Sequence, residues 1–184
     1  MNMQSSLSGR VNEDNAKWWV LIASCFALFM AILDNLVVNV ALPTISQDLD
    51  ASTTQLQWIV SSYILVFAAL QITAGGLGDR LGRKRWFMIG IVIFTGASLF
   101  ASFSQNVEML ILGRALQGLG AAFILPLSLS LVSNAFPPEE RGRALGIWSA
   151  ISVSGLALGP VVGGLLVQYI SWHWIFLVNI PIGI

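Results

Sequence analysis

The sequence predicts an all-α integral membrane protein: a bundle of six helices, the sixth cut short. Three observations carry that prediction. Of 184 residues, 56% are apolar and only 10% charged, against about 25% charged in a soluble domain, so the chain lacks the polar surface a water-facing globule needs. Apolar runs of crossing length recur along it, because a hydrocarbon core of roughly 30 Å takes about 20 residues of helix. Between those runs, Lys and Arg fall only in every second segment.

Taken in order, the chain opens on a polar tail, residues 1–17, with Ser5, Ser6, Ser8, Gly9 and Asn12, of the kind that termini keep mobile. The first span, 18–41, is too long for a signal-peptide core and shows no small-residue cleavage pattern before Leu42-Pro43, so it reads as an uncleaved anchor. Four further spans follow at 58–77, 86–103, 109–132 and 144–167. A sixth begins near Trp172 and has thirteen residues to Ile184, about 20 Å of helix at 1.5 Å each. That is short of a crossing, and no basic stop follows. A terminal carboxylate in hydrocarbon costs several kcal/mol, so the sequence reads as the N-terminal part of a longer protein, with residues 18–184 forming its first bundle. No soluble domain is inserted, and the short loops make consecutive helices antiparallel neighbours.

Charge sets the expected orientation. Arg10 and Lys17, then Arg80, Arg83, Lys84 and Arg85, then Arg141 and Arg143 occupy one set of segments, whereas the alternate loops hold Asp48, Asp50 and Glu108 and no Lys or Arg. The positive-inside rule makes the N-terminus cytoplasmic in a multi-pass protein of the cell membrane. The tryptophans, Trp18, Trp19, Trp58, Trp86, Trp148, Trp172 and Trp174, fall near span ends, where amphipathic rings prefer the interface.

The same arithmetic excludes other classes. A balance of 9 Lys+Arg against 9 Asp+Glu, with no basic patch, argues against a nucleic-acid partner. One cysteine, Cys25, allows no internal disulfide, and one histidine, His173, leaves no zinc cluster. A hydrolase would have to use His173, which sits at a span end between two tryptophans, the place of an interface anchor. The chain is read as no enzyme, with no metal and no cofactor.

Two ionisable residues lie inside spans, Asp34 and Arg114, each at a cost of about 2.5–3.5 kcal/mol at mid-bilayer. Asp34 stands roughly 24 Å up the first helix, about 6 Å from its outer edge, and Arg114 about 7.5 Å in from the outside. The two share a depth and can share one polar cavity. Asn35, Asn39, Gln71 and Gln117 add uncharged polar groups, with Gln117 on the Arg114 face. A guanidinium beside a buried carboxylate favours the charged form, and its withdrawal favours protonation, so the pair reads as a proton site. The other reading is a static ion pair that holds two helices together.

Glycines mark two further places. Gly75-Gly76-Leu77-Gly78-Asp79-Arg80-Leu81-Gly82-Arg83-Lys84 makes a tight turn between the second and third spans, in which Gly82 can take positive φ and Asp79 can cap the next turn. In the fifth span Gly155, Gly159 and Gly163 recur every four residues and form one stripe for close helix approach. Gly146 and Gly164 lie on the opposite face, and Pro160 removes a helical hydrogen bond and bends the helix. Dense packing explains such a helix, and so does a rocking interface.

These residues resemble the major facilitator superfamily, in particular its drug:proton antiporters with 14 helices. Leu33-Asp34-Asn35-Leu36-Val37-Val38-Asn39-Val40-Ala41-Leu42-Pro43 is similar to the family's first-helix motif, and Gly75 to Lys84 to its cytoplasmic loop motif. Leu110 to Ala122, with Arg114, Gln117, Gly118 and Gly120, resembles the fourth-helix motif. Gly146, Gly155, Gly159-Pro160 and Gly163-Gly164 fit the fifth-helix antiporter motif. Arg141 to Gly146 and Phe176-Leu177-Val178-Asn179-Ile180-Pro181 are also similar to the 14-helix group, so the resemblance covers residues 18 to 184.

The resemblance implies alternating access driven by a proton gradient, with lipophilic, often cationic, drug-like molecules exported against protons. Asp34 would take the proton and Arg114 would tune it. Asn35, Asn39, Gln71 and Gln117 would face the substrate. Asp79 with Arg83 would latch the inward face, and Gly155, Gly159, Pro160 and Gly163 would meet the missing C-terminal helices. On that account the glycine stripe has no partner within residues 1–184. A symporter or uniporter of the same superfamily, importing a small solute, is the alternative, and a non-transporting scaffold a third.

Overall fold

The computed structural model describes the backbone of residues 3–183 and the side chains of residues 15–183. Its helices are α1 (Met3–Asp48), α2 (Thr53–Leu81), α3 (Arg83–Ser102), α4 (Val107–Ala135), α5 (Pro138–Tyr169), α6 (Trp174–Leu177) and α7 (Ile180–Gly183). Among the described residues there is no strand, and five helices are long and apolar enough to cross a membrane.

Each long helix overruns its apolar span, for local reasons. α1 extends back to Met3, so the division between tail and bundle is one of composition and not of backbone. Forward, it runs through Pro43 to Asp48, past the expected end at 41. Its inward face continues as Val37, Val38, Ala41 and Ile45, all buried, and that packing outweighs the hydrogen bond lost at the proline. α2 starts at Thr53 because Ser52 and Gln55 form a capping box: Gln55 N–H donates to Ser52 Oγ at 3.3 Å and Ser52 N–H to Gln55 Oε1 at 3.0 Å. α4 starts where Asn106 Oδ1 accepts from Met109 N–H at 2.8 Å. α5 opens on Pro138 with Glu139 and Glu140 in its first turn, where the helix dipole favours negative charge.

The break between α2 and α3 is the single residue Gly82, at φ 109°. Asp79 lies inside α2 and does not cap α3, whose N-terminus has no side-chain cap; it accepts instead from Arg83 Nε at 2.6 Å.

The sixth segment departs from the expected continuous helix. It is two four-residue helices, α6 and α7, separated at Val178 and Asn179. Pro181 has no N–H to offer the Leu177 carbonyl, and Asn179 N–H bonds in the tighter pattern to Phe176 O at 3.2 Å. Trp172 Nε1 donates to Asp48 Oδ2 at 2.7 Å and ties the start of this segment to the end of α1.

Chain neighbours are main packing partners only at α3 and α4. The broadest seams are α2 on α4, α3 on α4 and α1 on α5, whereas α1 and α2, or α4 and α5, touch little. Two of the three seams therefore join helices that run the same way, so the expectation of antiparallel neighbours holds for α3 and α4 and is corrected for the other consecutive pairs. The reason is shape. Lipid tails are as apolar as the helix surfaces, so close fit selects partners. Gly118 of α4 lies against the backbone of Tyr63 in α2, and a Cβ at Gly120 would come 2.7 Å from Phe94 N of α3. α4 becomes the hub, while α2 and α5 leave most of their spans outside the bundle.

Candidate functional site

Asp34 sits one turn before Val37 and Val38 on the buried face of α1, and Arg114 lies about two turns into α4. Both are almost completely buried, at 1% and 0% exposure. Arg114 Nη1 pairs with Asp34 Oδ2 and also donates to Gln117 Oε1 at 2.8 Å. Arg114 Nε donates to the Ile59 carbonyl of α2 at 3.4 Å, and the guanidinium lies over the Tyr63 ring, 4.4 Å from its centroid. The Tyr63 hydroxyl donates in turn to the Ala31 carbonyl of α1 at 3.4 Å.

The second carboxylate oxygen faces two carboxamides. Gln117 Nε2 donates to Asp34 Oδ1 at 2.9 Å and to Ser98 Oγ at 2.7 Å. Asn179 Nδ2 donates to the same two atoms, at 2.7 Å and 3.2 Å. Arg114 Nη2 and Asn179 Oδ1 are buried without a partner. The cluster thus gathers α1, α2, α3, α4 and the break between α6 and α7.

A buried ion pair contributes little net stability beside apolar residues of the same volume, but removing one partner costs about 3–5 kcal/mol. The intact pair therefore adds little to stability, while loss of either partner is costly. Its two charges are mutually satisfied only while both are present and the helices stay closed around them.

Of the sequence candidates, Asp34, Arg114 and Gln117 come together here. Asn35 is half-buried and Asn39 exposed, and Asn39 Nδ2 donates to the Asn35 carbonyl at 3.0 Å, away from the carboxylate. Gln71 is half-buried on α2, about 12 Å along the helix from Tyr63, too far to share the cluster. Ser98, Asn179 and Tyr63 were not singled out. A lone carboxamide in the short apolar run 174–183 was the available signal for Asn179.

The loop motif keeps its Asp79–Arg83 pair at the α2–α3 turn, with Arg80 and Lys84 exposed beside it. Gly75 lies in ordinary contact with Pro126 of α4.

The glycine stripe of α5 is corrected. It does not wait for helices outside this chain, because it packs on α1. Cβ atoms at Gly155, Gly159 and Gly163 would meet Ile32 Cγ2 at 3.2 Å, Leu36 Cβ at 2.7 Å and Val37 Cγ1 at 3.1 Å. The stripe matches a ridge of branched side chains on α1, and the close fit supplies dispersion that lipid cannot. The open side is the opposite one: Gly146 and Gly164 have nothing within 4 Å of their Cβ positions, and Pro160 is exposed.

An apolar cavity of ≈ 430 Å³ opens between α1 and α5, lined among others by Trp18, Cys25, Phe26, Phe29 and Ile151, in the size range of small-molecule sites. Phe29 is five residues before Asp34, about 7.5 Å along α1. His173 stacks on Trp172 with centroids 3.8 Å apart, and its Nδ1 lies 2.9 Å from Ser171 Oγ. Among the described residues no group of three His, Cys, Asp or Glu could hold a metal ion.

The model of the Major Facilitator Superfamily matches residues 24–184. The chain is 43% identical over 168 residues to the riboflavin transporter RibZ of Clostridioides difficile (strain 630), an alignment that covers 91% of this chain and 37% of that protein. It is 49% identical over 155 residues to the methylenomycin A resistance protein of Streptomyces coelicolor, covering 84% of this chain and 33% of that protein. To the multidrug resistance protein Stp of Mycobacterium tuberculosis (strain CDC 1551 / Oshkosh) it is 46% identical over 164 residues, covering 89% and 30%. The chain spans about a third of the length of these curated relatives. It belongs to the Major Facilitator Superfamily and is a multi-pass membrane protein.

Proposed function

We propose that this member of the superfamily is the N-terminal part of a proton-coupled exporter of lipophilic, often cationic, compounds. The observation that carries the reading is the Asp34–Arg114 pair, buried and closed by Gln117. Intramembrane charges of this kind mark ion and substrate pathways. In this reading the N-terminus is cytoplasmic, the protein lies in the cell membrane, and the proton gradient is the energy source, without a cofactor.

The cycle follows from charge. A proton that reaches Asp34 from outside neutralises the carboxylate and frees the guanidinium from its partner. Helices then part at lower cost than they could around an intact buried pair. The apolar cavity beside Phe29 offers a lipophilic guest one wall, and the remaining helices of the protein supply the other. Return of the proton to the inner side restores the pair and closes the site. Relatives named for resistance to methylenomycin A and to multiple drugs support export.

The test is Asp34→Asn in the complete protein reconstituted in liposomes. The change keeps shape and removes charge, so insertion should persist and drug:proton exchange should be lost. Wild-type exchange by the Asn variant would refute the proton site. A second reading is import of a small solute; one relative is named a riboflavin transporter, a name that gives no direction. Uphill uptake driven by protons in the same liposomes would decide for it.

A further inference from the structure

Two carboxamides approach the same oxygen of Asp34, but they are held differently. Gln117 donates through Nε2 to Asp34 Oδ1 and Ser98 Oγ, and its Oε1 accepts from Arg114 Nη1. It cannot turn over, because its NH2 group would then face a cation. Asn179 makes the same two donations through Nδ2, yet its Oδ1 is buried with no partner. Nothing but the acceptor-only carboxylate fixes which way this amide points, since both of its ends occupy nearly the same space.

A carboxylic acid presents a different surface, because one of its oxygens becomes a donor. Asp34 Oδ2 faces the guanidinium, so an arriving proton settles on Oδ1, the oxygen that faces the two amides. There the new O–H meets two N–H donors, one of them locked. We propose that Asn179 is a positioning residue that reverses its side-chain amide when Asp34 is protonated, so that the sixth segment reads the proton state of the first helix. The inference rests on Asp34 as the proton site.

The step is balanced. One O–H bond forms between the incoming proton and Asp34 Oδ1, no covalent bond breaks, and the amide turns by about 180° about its Cβ–Cγ bond, one of the broad two-fold torsions. Asn179 Oδ1, an orphan beside the ionised form, then accepts from the acid. Ser98 Oγ, which accepts from Nδ2 before the turn, can rotate its own O–H toward the amide oxygen after it.

The place of Asn179 in the fold makes the reversal consequential. It stands between two four-residue helices, beside a proline that leaves the Leu177 carbonyl without its helical donor. Its backbone is held, with Asn179 N–H donating to Phe176 O at 3.2 Å and Gly183 N–H to Asn179 O at 3.0 Å, so the reversal is confined to the side chain. The charged and titratable groups around Asp34 are Arg114 from α4 and Tyr63 from α2. α3 and the sixth segment contribute only Ser98 and Asn179. α5 carries its charged side chains at residues 139–143 and its tyrosine at Tyr169, at its two ends.

The experiment is pH-difference infrared spectroscopy on the complete transporter with isotope-labelled asparagine side chains. An asparagine amide band should move at the same pH midpoint as the Asp34 carboxyl band, and Asn179→Leu should remove the amide signal. Asn179→Leu should also displace the pH midpoint of proton-driven exchange by about one unit, tenfold in proton affinity. Asn179→Gln, which keeps a reversible amide, should bring it back. The labelled wild type needs no variant to fold. A carboxyl band that titrates while no asparagine band follows it would overturn the reversal and leave Asp34 as the proton site. Absence of any carboxyl band that depends on Asp34 would overturn both readings.

Discussion

Replacing Gly159 by alanine tests the seam between α1 and α5. The added Cβ would lie 2.7 Å from Leu36 Cβ and 3.2 Å from Leu36 Cδ1. Carbon pairs rest at about 3.5–4.0 Å, so the seam must open by roughly 1 Å. Leu36 Cβ is fixed to its backbone and no rotamer removes it. A gap of that size forfeits about a quarter to a half of each contact along the seam, and overpacking typically costs about 1–3 kcal/mol. Against this, alanine gains about 1 kcal/mol over glycine inside a helix. The balance for Gly159→Ala is a loss of up to about 2 kcal/mol.

At Gly96 of α3 a Cβ meets nothing within 4 Å, so Gly96→Ala keeps only the gain of up to about 1 kcal/mol. The two variants should therefore shift thermal unfolding of the purified, complete protein in opposite directions. Gly155→Ala should be milder than Gly159→Ala, because its nearest contact, Ile32 Cγ2 at 3.2 Å, is longer than the 2.7 Å to Leu36 Cβ. If Gly159→Ala proved as benign as Gly96→Ala, the stripe would not lie on α1, and helices outside this chain would again be its partners.

Two further outcomes follow from the turn and the buried pair. Gly82→Val places a β-branched side chain at φ 109°, a local strain of about 1–3 kcal/mol, and should slow turnover more than it weakens substrate binding. Asp79→Asn breaks an exposed i,i+4 pair worth about 0.3–0.5 kcal/mol, so unfolding should hardly change while turnover falls; normal turnover in both would leave the loop as an orientation signal alone. Arg114→Lys keeps the charge but loses the Nε donation to Ile59 and the planar guanidinium over the Tyr63 ring. Exchange measured in liposomes should fall at least tenfold, about 1.4 kcal/mol, and wild-type exchange would show that charge without geometry suffices.

Residue chemistry alone determined the membrane class, the five full spans and the pairing of Asp34 with Arg114. Apolar length is a local property that any window of the chain displays, and two charges at one depth in hydrocarbon favour a shared polar environment. The start of α2 at Thr53, five residues before the expected 58, is set by a capping box of sequence neighbours, Ser52 and Gln55, that the span reading passed over. Only the tertiary structure decided which helices embrace. Every face is apolar, so hydropathy cannot rank them, and the choice of α1 for the α5 stripe rests on a fit between Gly159 and Leu36 that exists only once both helices are folded. The same holds for the site. Polarity grouped Asn35, Asn39 and Gln71 with the charged pair, whereas convergence of the helices brought Ser98 and Asn179 to Asp34 instead. An uncharged side chain tolerates many surroundings, so its sequence position does not say which carboxylate it will meet.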